Sequence, residues 1–291
     1  MSLSASELEA TYKAVQRCLS EQRWDDVLQY VESTLDYNGR QLSPKDWIEY
    51  LKDGYAKGCV SESTESALIV DEEQQCVVVR LCLMATPTAP IMGLSPPAGR
   101  KLFLRSHSFT WFKNGKYSKV RAVSDSTLLR KQLEDPSYRP EPEKINDSPA
   151  PEGKRLSKGE IEKFYRTYVD LCNAAGKEEE LVEKCVHQGD IIFNNEIWSP
   201  SDYKALIKSI QADALHTHLS VEDLVIEEEK QRIAVRLKIR RIPKRDCGPL
   251  TAGRTWETSE QVIYQLTDGK ISGAWPVMDL TASKEVQEPE E

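Results

Sequence analysis

Apolar residues recur at helical spacing near the start of the chain. Leu8, Tyr12, Val15 and Leu19 fall on one face, and Trp24, Val27, Leu28 and Val31 make a second, shorter stripe. A third helix is predicted to open at Ser43-Pro44-Lys45-Asp46, with Ser as N-cap, Pro in the first turn and an acid at the third position. The period then shortens to that of strands. ALIVDEEQQCVVVRLCL (67–83), GRKLFLRSHSFTWF (99–112) and YSKVRAVSD (117–125) read as long strands, and Asn114-Gly115 between the last two is a strong hairpin signal. Helices followed by a curved antiparallel sheet predict an α+β domain whose helices cover a concave face, with the ligand pocket between the two layers.

The same pattern then returns. Gly115 and Gly269 lie 154 positions apart, as do Gly99-Arg100 and Gly253-Arg254. LSPKDW (42–47) matches WSPSDY (198–203), and VVVRLCL (77–83) matches IAVRLKI (233–239), both at an offset of 156. Ordered anchors of this kind indicate a duplicated domain. The expected organisation is a first domain over 1–133, a linker over 134–155 with five prolines, a second domain over 156–283, and an acidic tail over 284–291 that reads as disordered.

Composition narrows the function classes. The 291 residues are 39% hydrophobic and 30% charged, with a formal net charge of −8, which argues against bulk binding to nucleic acid or an anionic membrane. No signal peptide and no bilayer-spanning apolar run is evident, and the seven scattered cysteines contain no C-x-x-C, so a reduced, cytoplasmic setting is expected. RLKIRRIPKR (236–245) carries six basic residues, but without interleaved aromatics it reads as a solvated or interface face. His216 and His218 near Asp213 lack further ligands at metal spacing, and no phosphate-cradling glycine loop or G-x-S-x-G elbow occurs. Neither a metal nor a cofactor is expected.

The helices of the first copy (YKAVQRCLSEQRWDDVLQYVESTLDYNG), the strand VVVRLCL, the Gly-Arg strand and DGKISGAWPVMD resemble the SnoaL-like polyketide cyclases. These belong to the cone-shaped superfamily that includes nuclear transport factor 2 and scytalone dehydratase. The resemblance covers about 125 residues of each half. It implies two tandem cone-shaped domains, each a curved, mostly antiparallel sheet covered by three helices. Because relatives commonly dimerise through the sheet, it also implies an intramolecular pseudo-dimer, as a monomer or a dimer of it. The family's closing W-x-V-x-D is matched by Trp275, Val277 and Asp279; the first copy keeps Val123 and Asp125 but has Arg121 for the Trp. SnoaL-type cyclases place an acid/base Asp directly after that Trp, where this chain has Pro276 and Ala122. A Glu nine residues before the hairpin Gly is present as Glu260 and absent as Ser106. The family's His-Asn-Gly appears as Tyr37-Asn38-Gly39 and Phe193-Asn194-Asn195.

These positions define the candidates. Strand alternation sets Thr258, Glu260, Val262, Tyr264 and Leu266 on one mostly apolar face, where a desolvated carboxylate becomes a useful acid or base. Glu260, His107 and Asp279 are the catalytic candidates. Alternation puts His107 on the outer face with Phe103, Arg105, Phe109 and Trp111, unless a bulge turns it inward. Tyr37, Asn38 and Asp53 in the first copy, and Asn194, Tyr264 and Trp275 in the second, are candidate substrate contacts; capping and turn chemistry is the competing reading for the asparagines. The resemblance implies a cofactor-independent cyclase, isomerase or dehydratase acting on a hydrophobic, polyketide- or terpenoid-like molecule. The alternative is a non-catalytic ligand-binding or scaffolding protein with degenerate copies.

Overall fold

A computed structural model describes residues 2–58, 62–91, 94–96, 99–140 and 152–286. It divides into two compact units, Met1–Asp147 and Ser148–Glu291. Half of the predicted linker and the end of the predicted tail, 141–151 and 287–291, lie outside the described residues.

The first unit begins with α1 (Ala5–Ser20), capped by Ser4 in a capping box with Glu7. A single turn, α2 (Trp24–Val27), runs through a 3₁₀ turn into strand β1 (Val31–Tyr37) and β2 (Arg40–Leu42). Val31, predicted as the last residue of the second helix, is the first of β1. Next come α3 (Pro44–Ala56) and four long strands: β3 (Glu62–Asp71), β4 (Cys76–Ala85), β5 (Leu102–Lys113) and β6 (Lys116–Ser124). Helix α4 (Ser126–Glu134) closes the unit. The sheet order is β2-β1-β6-β5-β4-β3, antiparallel except where β1 meets β6.

The second unit repeats this plan. It has α5 (Lys158–Asn173), α6 (Glu178–Cys185), β7 (Ile191–Phe193), β8 (Glu196–Trp198) and α7 (Pro200–Ala212). Its strands β9 (Ala214–Glu227), β10 (Arg232–Pro243), β11 (Trp256–Thr267) and β12 (Lys270–Met278) give the order β8-β7-β12-β11-β10-β9. The opening residues of the predicted tail form a two-residue strand, β13 (Lys284–Glu285), paired with β11.

The local rules read from the sequence are visible in both units. Ser43 and Ser199 accept from the backbone N–H of Asp46 and Asp202, each at 3.2 Å. Asn114-Gly115 and Asp268-Gly269 all take positive φ, as a two-residue hairpin turn requires. The bulges coincide as well. The β3–β4 ladder slips between Arg80 and Leu81, and the β9–β10 ladder between Arg236 and Leu237. The β5–β6 ladder slips after Trp111 and the β11–β12 ladder after Gln265. Bulges bend and twist a sheet, so these paired irregularities give both sheets their curvature.

Each concave face holds its own core. In the first, Leu8, Tyr12, Trp47, Val79, Phe112 and Tyr117 are buried together; in the second, Ile161, Tyr165, Tyr203, Val235, Tyr264 and Ile271. No helix among the described residues is long and apolar enough to cross a membrane.

Candidate active site

In β11, Glu260 pairs with Leu237 of β10 and Met278 of β12, so its side chain shares the helix-covered face with Val262 and Tyr264. It lines a cavity of about 100 Å³. The sheet side of that cavity is Leu237, Val262, Tyr264, Ala274 and Pro276; the helix side includes Tyr168, Cys172, Tyr203, Ile207 and Ile210. Ile210, 40% exposed, marks the mouth.

Glu260 makes no hydrogen bond or ion pair among the described residues, and no cation lines the cavity. Glu260 is half-buried as a residue, and its carboxyl is withdrawn from bulk water. That desolvation pushes its pKa up to about 7. A carboxyl poised there exchanges protons readily in both directions at neutral pH.

Phenols surround it. The hydroxyls of Tyr168 and Tyr203 lie 2.8 Å apart, joining α5 to α7 across the cavity wall. Tyr264 packs against the rings of Tyr165 and Tyr168, with centroids at 5.5 and 5.8 Å. Burial raises the pKa of each of these four phenols, so they remain protonated hydrogen-bond donors. Burial likewise pushes the Cys172 thiol up to about 12, which leaves it a poor nucleophile. Thr217 adds a buried hydroxyl with no partner among the described residues. The assembly is one titratable proton carrier among neutral donors in an apolar space.

Of the nine candidate residues, Glu260 and Tyr264 meet at this cavity. The others are placed elsewhere, each for a definable reason. Trp275 pairs with Ile263, so alternation turns its ring to the face away from Glu260, while its neighbours Ala274 and Pro276 face the cavity. Asp279 follows β12 and caps a short 3₁₀ turn, accepting from Thr281 N–H at 2.9 Å and Thr281 Oγ1 at 2.6 Å. Asn194 sits in the β7–β8 turn at φ 47° and donates to the Pro276 carbonyl at 3.4 Å.

In the first unit, Asn38 takes the same left-handed turn position and clasps Ala122 with two bonds, 3.0 Å to its carbonyl and 2.9 Å from its N–H. Turn chemistry therefore accounts for both asparagines. Asp53 is exposed on α3 and pairs with Lys57 at 2.5 Å. Tyr37 packs on Trp47 and Tyr50 within the first core. His107 lies on the sheet face away from the helices, fully buried, with Nε2 at 2.8 Å from Arg80 Nη1. The guanidinium only donates, so Nε2 must accept. A ring held in this way does not reach the concave face, and the catalytic expectation for His107 is corrected. At the position matching Glu260, Ser106 donates to the Val123 carbonyl at 3.0 Å.

Tyr168, Tyr203 and Cys172 were not singled out from the sequence. The signal was present: the helix stripe of the first copy, moved by 153 positions, falls on Ile161, Tyr165, Tyr168 and Cys172. No group of three or more His, Cys, Asp and Glu is placed to hold a metal among the described residues.

The family model described as SnoaL-like polyketide cyclase matches residues 9–133, nearly all of the described first unit. The second unit reproduces the strand order, bulges and hairpin turn of the first, so the chain is a tandem of two units with the same fold. Similar solved structures include a SnoaL-like polyketide cyclase from Agrobacterium tumefaciens, 25% identical, covering 42% of this chain and 93% of that one, with a TM-score of 0.38. TsrD from Streptomyces laurentii is 18% identical over 44% of this chain and 93% of its own, with a TM-score of 0.38. IdmH from Streptomyces antibioticus is 15% identical over 42% and 93%, with a TM-score of 0.36. None of the curated proteins matches the chain.

Proposed function

We propose that the second SnoaL-like domain is a cofactor-independent acid/base catalyst of the cyclase, isomerase or dehydratase type, acting on a carbonyl-bearing, polyketide- or terpenoid-like molecule. The observation that carries this reading is Glu260: a carboxyl without a counterion, in an apolar cavity, with its pKa near 7. In the proposed step Glu260 takes a proton from the carbon next to the carbonyl. The electron pair of the broken C–H bond forms a C=C bond to the carbonyl carbon, the C=O π pair moves to oxygen, and the Tyr168–Tyr203 hydroxyl pair donates to the enolate oxygen so formed. Glu260 then returns the proton to another carbon, or to a departing hydroxyl. A positioned base of this kind contributes about 10²–10⁴-fold in rate.

Cavity size limits what enters. About 100 Å³ is below the ~300–1,000 Å³ of typical ligand pockets and close to the ~150 Å³ void that accommodates benzene. One ring, or the reacting end of a longer chain, fits beside Glu260, with the remainder at the mouth near Ile210. In this reading the first domain is a non-catalytic copy, supported by the hydroxyl of Ser106 at the position of the acid.

Cyclohexanone is a probe of matching size. In heavy water the protein should speed exchange of its α-protons, followed by proton NMR, with a pH midpoint near 7. Glu260→Gln should return exchange to the buffer rate. Acceleration that survives this substitution, or no acceleration by the wild type, would sink the proposal.

A further inference from the structure

The first domain contains a larger cavity that the proposed chemistry does not use. Its volume is about 400 Å³, within the range of small-molecule pockets. In β4, Val77, Val79 and Leu81 face the helices, so Cys82 and Met84 face the other way. They form the floor of this cavity together with Phe103 of β5 and Ser66 of β3. One end is closed by Gln132 of α4, which accepts from Phe103 N–H at 2.9 Å and donates to the Phe103 carbonyl at 2.6 Å. Tyr138, held under Lys131 at 4.0 Å from its ring centroid, closes the side.

The rim has a marked charge bias. Arg100, Lys101 and Arg139 line the cavity, against a single carboxylate among the described residues, Glu62. Lys101 and Glu62 pair at 2.9 Å, but both are more than half exposed, so this pair is weak and readily rearranged. Arg100 Nη2 reaches the carbonyls of Asp135 and Tyr138 only at 3.4 Å each, and its Nη1 has no hydrogen-bond partner among the described residues. Arg139 Nη1 donates to the carbonyls of Pro136 and Tyr138 at 2.7 and 3.0 Å. Asp135 turns its own carboxylate to Ser137. Neither guanidinium has an ion-pair partner within 4 Å among the described residues. In a chain of net charge −8, this is a local excess of positive charge over an apolar floor.

We propose that this cavity binds an amphipathic organic carboxylate, with its apolar portion against Met84 and Phe103 and its headgroup at the rim formed by Arg100, Lys101 and Arg139. The cationic rim of Arg100, Lys101 and Arg139 supplies charge-assisted donors for a carboxylate. The floor is what separates such a ligand from a simple anion. The proposal rests on the first domain alone and is independent of Glu260.

Sodium octanoate is the probe, titrated calorimetrically into the full chain, with 1-octanol and inorganic phosphate as comparisons. Octanoate should bind saturably, at least tenfold tighter than either comparison. Arg100→Gln should weaken octanoate binding at least tenfold. Thr64→Trp, which fills the cavity from an exposed strand position, should abolish it; Glu260→Gln should leave it unchanged. Thermal melts of each variant separate lost binding from lost folding. The proposal is overturned by any of four results: no octanoate binding to the wild type, equal affinity in a folded Arg100→Gln variant, loss of binding in Glu260→Gln, or phosphate binding as tightly as octanoate.

Discussion

Glu260→Gln tests the desolvation argument through stability, without any substrate. In the folded protein the Glu260 pKa is raised from 4.5 to about 7 by burial alone. Below pH 4.5 both the folded and the unfolded chain hold this proton, and the group contributes no pH dependence. Between 4.5 and 7 the unfolded chain gives up its proton while the folded chain keeps it, so wild-type stability falls with rising pH. Each unit of difference is worth about 1.36 kcal/mol, so the loss totals ~3 kcal/mol and levels off above pH 7. Gln fits the same space and never ionises. The variant should therefore gain up to ~3 kcal/mol on the wild type at pH 8 and nothing comparable at pH 4.5. For a domain of this size that is a difference in melting temperature on the order of 6–12 °C. The assay is paired thermal or urea unfolding across pH 4 to 9. A variant-minus-wild-type difference that stays flat would mean that Glu260 ionises as freely in the cavity as in water, and the proposed proton-transfer role would lose its physical basis.

Other substitutions separate structural from chemical roles. Tyr203→Phe leaves the Tyr168 hydroxyl without its 2.8 Å partner; it should cost about 1–3 kcal/mol in urea unfolding and slow cyclohexanone exchange by about 10²-fold, and an unchanged rate would remove the phenol pair from the proposed step. His107→Leu should destabilise by about 2–3 kcal/mol, because Arg80 loses a buried acceptor, yet leave the exchange rate alone; a large rate loss would restore a catalytic role to His107. Arg121 holds Asp36 with two bonds of 2.8 and 2.7 Å, and its guanidinium lowers the Asp36 pKa below 3.8. Arg121→Ala should cost about 1–2 kcal/mol near pH 7, and the cost should fade as the pH drops below 3.8 and Asp36 becomes protonated.

The duplicated frame was legible because its signals are local and strong. The Ser-Pro-x-Asp helix starts, the Asn-Gly and Asp-Gly turns and the apolar β11 face each follow from a few residues. Helix α4 was missed because it spans only nine residues and follows directly on a strand. The β1–β2 and β7–β8 hairpins escaped because β2, β7 and β8 have three residues each, and because β1 buries Val31 and Leu35 at a four-residue spacing that reads as helical. Site residues were harder. Alternation placed Glu260 and Tyr264 together and His107 on the other face, but Trp275 was assigned by family pattern before its partner strand was known. Only the pairing of Ile263 with Trp275 shows which way the ring turns. The Tyr168–Tyr203 bond joins two helices 35 residues apart, and nothing in either helix alone predicts it.

The matched bulges separate what the two units share from what they do not. Both sheets slip at corresponding rungs, one beside Leu81 and Leu237, the other beside Phe112 and Leu266. The curvature thus belongs to the frame the two units share, whereas α4 on one side and β13 on the other mark where their backbones part. Ser106 against Glu260, and Ala122 against Pro276, are changes of side chain within that frame. Under the proposed function, the feature that sets the second unit apart is a side-chain exchange on a strand both units share.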